Sequence, residues 1–216
     1  MSSLGVRRQF AAISLALAGA LVLGACSGSD DPDADAAQSP SSSVSPSTSP
    51  TPSPTPTATY KPASAEGPAE NVPLPEMPEE AKVESKEGLV AFARYWYEAA
   101  NYGYQTGDVE PLKEISGPDC FACAPFYKTV ESGYQKGWIS GGIIEVWDST
   151  STFAETESGR RQVLTQFIQE PLEVYGTDGY IKTIDGNELP SVQMIEAVFS
   201  DGKWTALDVV TIHESP

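Results

Sequence analysis

The apolar pattern of the chain predicts an α+β fold, with helices first and antiparallel strands after them. From Lys86 to Lys136 apolar residues recur every three or four positions, the period of a helix packed on one face. From Ile143 to Ile212 the period changes to short β-branched and aromatic runs separated by turn signals. A Ser/Thr/Pro-rich tract precedes both, leaving about 135 residues from Ala81 to Pro216, enough for one domain with one core.

Ser85 is placed to cap a first helix over Lys86–Tyr104. Leu89, Phe92, Ala93, Trp96, Tyr97, Ala100 and Tyr104 form its apolar face, with Arg94, Glu98 and Asn101 opposite. Gly107-Asp108 ends it and opens a short second helix, Asp108–Ile115, with Pro111 in its first turn. After the turn Gly117-Pro118-Asp119, a third helix is expected from Cys120 to Lys136, capped by Asp119 and ended by a left-handed Gly137. Strands are expected at Ile143–Asp148, Arg161–Gln169, Val192–Phe199 and Trp204–Ile212, with Ser200–Lys203 as a tight hairpin turn. Asp178-Gly179 and Asp185-Gly186 mark turns around a short hairpin at Tyr180–Ile184. The helices are expected to cover one face of a single curved sheet.

The N-terminus has the three parts of a secretory signal. Arg7 and Arg8 supply the positive region, and Phe10–Leu23 is an apolar run shorter than the roughly 20 residues a membrane span needs. It closes on Leu23-Gly-Ala-Cys26, which resembles the lipobox of bacterial lipoproteins and so implies cleavage after residue 25 and lipidation of Cys26. Two acyl chains suffice for stable anchoring. Arg7-Arg8-Gln9-Phe10 also resembles a partial twin-arginine signal. The expected organisation is residues 1–25 as signal, 26–80 as lipidated cysteine plus linker, and 81–216 as the domain, held at the extracytoplasmic face of the cell membrane. Prolines in Ser49-Pro-Thr-Pro-Ser-Pro-Thr-Pro56 exclude helix and favour extended chain. At ~3.1 Å per residue such a stalk reaches about 160 Å when fully extended.

With 13 Lys+Arg against 30 Asp+Glu, the chain repels phosphate backbones, and no basic stripe reverses this locally. Nucleic acid is therefore excluded as a partner.

Cys120 and Cys123 are the only cysteines besides Cys26. In an exported chain an even pair reads as a disulfide, and i,i+3 positions at a helix start lie within bonding distance. A redox pair is the sharper alternative, since a helix N-terminus lowers a thiol pKa, but redox motifs of this kind follow a strand. A metal site would need two further ligands, and the chain has one histidine, His213, beside the C-terminus. No phosphate-binding glycine loop and no G-x-S-x-G motif is present; Gly141-Gly142 reads as a sharp turn or bulge. No cofactor is expected.

Phe92-Ala-Arg-Tyr-Trp-Tyr97, Tyr104-Gln-Thr-Gly-Asp108 and Cys120-Phe-Ala-Cys123 together resemble actinobacterial lipoproteins whose folded part is a domain of unknown function. Phe199-Ser-Asp-Gly-Lys-Trp204 and the strand after it are similar to the end of nuclear-transport-factor-2-like (ketosteroid-isomerase-like, SnoaL-like) domains. The resemblance spans Ser85 to Ile212 and implies a cone-shaped fold with a cavity between helices and sheet. Many functions use that fold, so it names none. Trp96, Tyr97, Tyr134, Trp138, Trp147 and Trp204 are the candidate lining of such a cavity. The expectation is a non-catalytic module that binds a small apolar ligand or an envelope protein, with a homodimer through the sheet face compatible with either. The rival is a small isomerase or dehydratase. It would need a pocket carboxylate (Glu145, Asp148, Glu196 and Asp208 are the strand candidates) beside a tyrosine hydroxyl.

Overall fold

The structure, a computed structural model, describes residues 58–213. The signal segment, the lipobox with Cys26 and the linker up to residue 57 lie outside the described residues.

After a short 3-10 helix (Glu79–Lys82) come three α-helices: α1 (Lys86–Thr106), α2 (Glu110–Lys113) and α3 (Cys123–Tyr134). Helix α1 begins where its cap predicts, Ser85 Oγ accepting from the Gly88 N–H at 2.9 Å. It ends at left-handed Gly107, φ 80°. All seven residues of its expected apolar face are buried. Helix α2 is a single turn, shorter than expected.

Helix α3 starts three residues late, and Asp119 does not cap it. The cause is a tertiary pull on the chain before it. Gly117 N–H donates to Ala206 O (2.6 Å), Ala206 N–H to Ile115 O (2.9 Å), and Phe121 N–H to the Asp208 carboxylate (2.9 Å). These bonds lay residues 115–121 along the last strand and hold them out of the helix. Asp208 therefore serves as a backbone anchor.

Seven strands follow: β1 (Gly137–Gly141), β2 (Ile144–Thr150), β3 (Arg161–Gln169), β4 (Leu172–Gly176), β5 (Gly179–Ile184), β6 (Ser191–Ser200) and β7 (Lys203–His213). In place of one curved sheet there are two antiparallel sheets, ordered β1-β4-β5 and β2-β3-β6-β7. They meet at a corner. Gly141 and Gly142 both take positive φ (73° and 75°), so the chain leaves β1 sharply and enters β2. A Cβ at Gly141 would sit 2.4 Å from Pro171 O, and Gly142 N–H donates to that same carbonyl at 3.0 Å. The β6–β7 hairpin turns at Asp201-Gly202, both left-handed, as a two-residue turn requires.

The stretch 58–80, assigned to the stalk by composition, belongs to the folded part. Lys61 and Glu70 exchange backbone hydrogen bonds at 3.0 and 2.9 Å, closing a small loop. This loop is docked by side chains of β1: Trp138 Nε1 donates to Ser64 O (2.7 Å) and Ser140 Oγ to Ala63 O (3.0 Å). A proline-rich segment with little to bury is thus held through its carbonyls, which its composition does not advertise. Among the described residues no helix is long and apolar enough to cross a membrane.

The interior divides in two. Phe92, Trp96, Tyr97, Val163, Ile195, Trp204 and Val209 pack between α1 and the four-stranded sheet. Tyr104, Val130, Ile139, Leu172 and Val174 pack between α3 and the three-stranded sheet. Phe126, Tyr127 and Ile144 touch both clusters.

A candidate binding cavity between two cores

A cavity of about 230 Å3 lies at the junction of these clusters. Trp96, Ala100 and Tyr104 of α1 form one wall, Phe126 and Thr129 of α3 a second, and Ile144, Phe167, Gln169 and Gln193 the sheet side. Ala122 and Pro125, on either side of Cys123, also line it.

The sheet side carries a polar row. Antiparallel register aligns Ser149, Thr165, Gln193 and Thr211 across β2, β3, β6 and β7, so all four project from the same face. Ser149 and Thr165 hydroxyls lie 3.2 Å apart, Tyr97 OH donates to Gln193 Oε1 at 2.9 Å, and Gln193 Nε2 donates to Thr211 Oγ1 at 3.2 Å. Burial pushes the Tyr97 phenol well above its ordinary pKa, so its hydroxyl keeps its proton and remains a donor.

Two side chains fix the corner. Asn101 accepts from Ile144 N–H (2.8 Å) and donates to Ile144 O (2.9 Å), standing in for a neighbouring strand at the start of β2. Gln169 Nε2 donates to Gly142 O at 3.2 Å. Burial also raises the Tyr104 pKa, and a hydrogen bond from Gln169 partly offsets this.

A larger cleft, about 440 Å3, runs outside α1 between Arg94, Glu98, Glu145 and Glu170. Its lining carries mixed charge, whereas the smaller cavity, about as open to solvent, is lined without charge by residues of both cores.

The six expected lining residues are not brought together. Trp96 lines the cavity and Tyr97 meets its floor through Gln193. Trp204 is 1% exposed and packs against Phe92, Phe153 and Phe199, so it is core. Tyr134 donates to Tyr104 O behind α3, and Trp138 stacks on Tyr175 under the 61–70 loop. Trp147 sits at the β2 bulge, 53% exposed. His213 is exposed at the end of β7. Of the acids, Glu145 and Asp148 face solvent and Glu196 pairs with Arg160 at 2.8 Å.

Sequence reading passed over the wall residues Tyr104, Phe126 and Phe167, the polar Gln169 and Gln193, and Asn101 at the corner. A signal for the glutamines exists. Period-2 alternation puts Gln169 on the face of Val163 and Phe167, and Gln193 on the face of Ile195 and Ala197. A polar residue on a strand's apolar face is the informative exception.

Cys120 and Cys123 form a disulfide, Cα–Cα 5.3 Å, with the two residues 4% and 1% exposed. Being covered by protein, it acts as a staple at the head of α3. Its short loop gives a stabilisation of about 2 kcal/mol. Cys120→Ser with Cys123→Ser is therefore expected to lower the urea midpoint by that equivalent, and reductant should then have no further effect. An unchanged midpoint would refute the staple role.

Helices packed on two antiparallel sheets, with a half-open cavity between them, define an α+β domain with a pocket. The chain belongs to DUF6318, a family of unknown function, whose model matches residues 58–210. No curated protein matches it. Among solved structures, the intermembrane space region of the chloroplast protein ARC6 is similar at TM-score 0.42 and 11% identity, over 60% of this chain and 98% of that one.

Proposed function

We propose that the chain is a lipid-anchored extracytoplasmic binding protein whose domain takes a small molecule in the cavity between α1, α3 and the four-stranded sheet. The observation that carries this is the cavity itself, with aromatic walls and a hydrogen-bonded polar row on its sheet side. Few, well-placed polar groups in an apolar concavity are what a ligand site needs. In this reading the domain is a cone-type, nuclear-transport-factor-2-like fold with its sheet bent apart at Gly141–Gly142, and Cys26 is the anchor. The isomerase alternative lacks support from the lining residues, which supply amides, hydroxyls and rings but no carboxylate base.

The outward face of the four-stranded sheet favours a second copy as partner. Leu164, Met194 and Val210 align there across β3, β6 and β7, with Ile212 55% exposed beside them. Such an apolar row is self-complementary about a two-fold axis.

Native mass spectrometry on the chain from residue 26 onward, with Cys26→Ser to remove the lipid, tests both. A discrete added mass, lost on denaturation, and a dimeric charge-state series are the expected results. A clean unliganded mass would count against the ligand reading and turn the search to protein partners. A monomer at micromolar concentration would sink the dimer.

A further inference from the structure

The cavity's chemistry narrows what it can hold. None of its lining residues carries a formal charge. A charged ligand would lose its hydration there without meeting a counter-ion, which is costly. The walls are rings: Trp96, Tyr104, Phe126 and Phe167, with Tyr104 and Phe126 edge-to-face at 4.8 Å. Flat faces of this kind favour a planar guest. A volume of about 230 Å3 lies below the roughly 300–1,000 Å3 of sites for drug-sized molecules, so the guest has one or two rings.

The polar handle has a definite sense. An amide's nitrogen and oxygen are told apart by their partners. Gly142 O is a carbonyl and only accepts, so the Gln169 atom 3.2 Å from it is the nitrogen. One of its hydrogens goes to Gly142 O. Among the described residues no donor reaches Gln169 Oε1, which leaves it as an acceptor at the cavity. Trp96 offers the ligand no polar contact: its Nε1–H is a donor only and is given to Ser116 Oγ at 3.0 Å.

We infer that the cavity binds an uncharged planar molecule of one or two rings that donates a hydrogen bond to Gln169 Oε1. This rests on the cavity being a ligand site, as proposed above. A neutral phenol or an N–H heteroaromatic has that chemistry; a carboxylate, an ammonium ion or a bare hydrocarbon does not.

The test is a ligand-observed NMR titration of the chain from residue 26 onward, carrying Cys26→Ser so that no lipid competes. The probes are phenol, toluene, benzoate and benzylamine, which share one ring and differ in charge and donor. Phenol should bind about 5-fold or more tighter than toluene and at least about 10-fold tighter than benzoate or the benzylammonium ion. Gln169→Met should bring phenol down to the level of toluene while leaving toluene unchanged. If that variant does not fold, the unmodified cavity still decides with the four probes. Benzoate or benzylammonium within about threefold of phenol, or toluene equal to phenol, would overturn the assigned ligand class while leaving an occupied cavity. Binding of no probe at all, toluene included, would instead remove the ligand-site reading on which the class depends.

Discussion

Trp204→Ala is expected to destabilise the domain by about 3–5 kcal/mol, the cost of emptying a large aromatic site in a packed core. Trp204 is 1% exposed and is met by Phe199 at 5.0 Å, Phe153 at 6.3 Å and Phe92 at 6.5 Å between ring centroids. Its Nε1 donates to Val83 O at 3.1 Å, tying β7 to the chain that leads into α1. Truncation opens a void under α1 and strips that carbonyl of its partner. Total stabilities of such domains run roughly 5–15 kcal/mol, so the variant should lose a large fraction of its margin. A urea titration of variant and parent gives the difference. Trp204→Phe keeps one ring but loses the N–H and three side-chain atoms of packing, and should cost less than alanine, about 1–3 kcal/mol. A loss below about 1 kcal/mol for Trp204→Ala would mean that the ring borders open space, as a cavity-lining residue does.

Trp204 also shows how far the sequence could be read. It follows a hairpin signal and opens an alternating strand, and both features are present in the fold. Whether its ring meets a cavity or a core depends on Phe92 and Phe153, which are distant in sequence. Helix α1 was legible for a similar reason: cap, apolar face and terminal glycine all act within one turn of the residues that carry them. The start of α3 was not, because Asp208, 87 positions from Phe121, outcompetes the local cap. Strands β1 and β4 are only five residues each and both end on glycine, so their local signal is short. They are held by pairing, β1 with β4 and β4 also with β5. In the candidate site, Trp96 and Tyr97 stood out as aromatic, whereas Gln169 and Gln193 were hidden by lying on strands whose neighbours read as ordinary alternation. Their role comes from register, which aligns Thr165 with Gln193 and Gln193 with Thr211.

Gly137→Ala is expected to cost about 3 kcal/mol, at the upper end of overpacking penalties. By position, just beyond α3, this glycine reads as a left-handed helix terminator. Its φ is not positive, however, and it is the first residue of β1, paired with Gly176. What excludes a side chain is the neighbouring strand: a Cβ would stand 1.8 Å from Tyr175 O and 2.8 Å from Gly176 Cα. Both are backbone atoms, so relief requires moving β1 away from β4. That movement would separate the Trp138 and Tyr175 rings, stacked at 5.5 Å, and loosen the 61–70 loop held by Trp138. Hydrogen exchange should therefore accelerate at Ile139 and Val174, and limited proteolysis should reach the 61–70 loop sooner, with the four-stranded sheet little changed. The two explanations separate on asparagine. A left-handed position tolerates it, so Gly202→Asn, at φ 77° with nothing within 4 Å of the new Cβ, should be nearly neutral. Gly137→Asn should be at least as damaging as Gly137→Ala. If asparagine were accepted at both, the close approach of the strands would not be what requires glycine at 137.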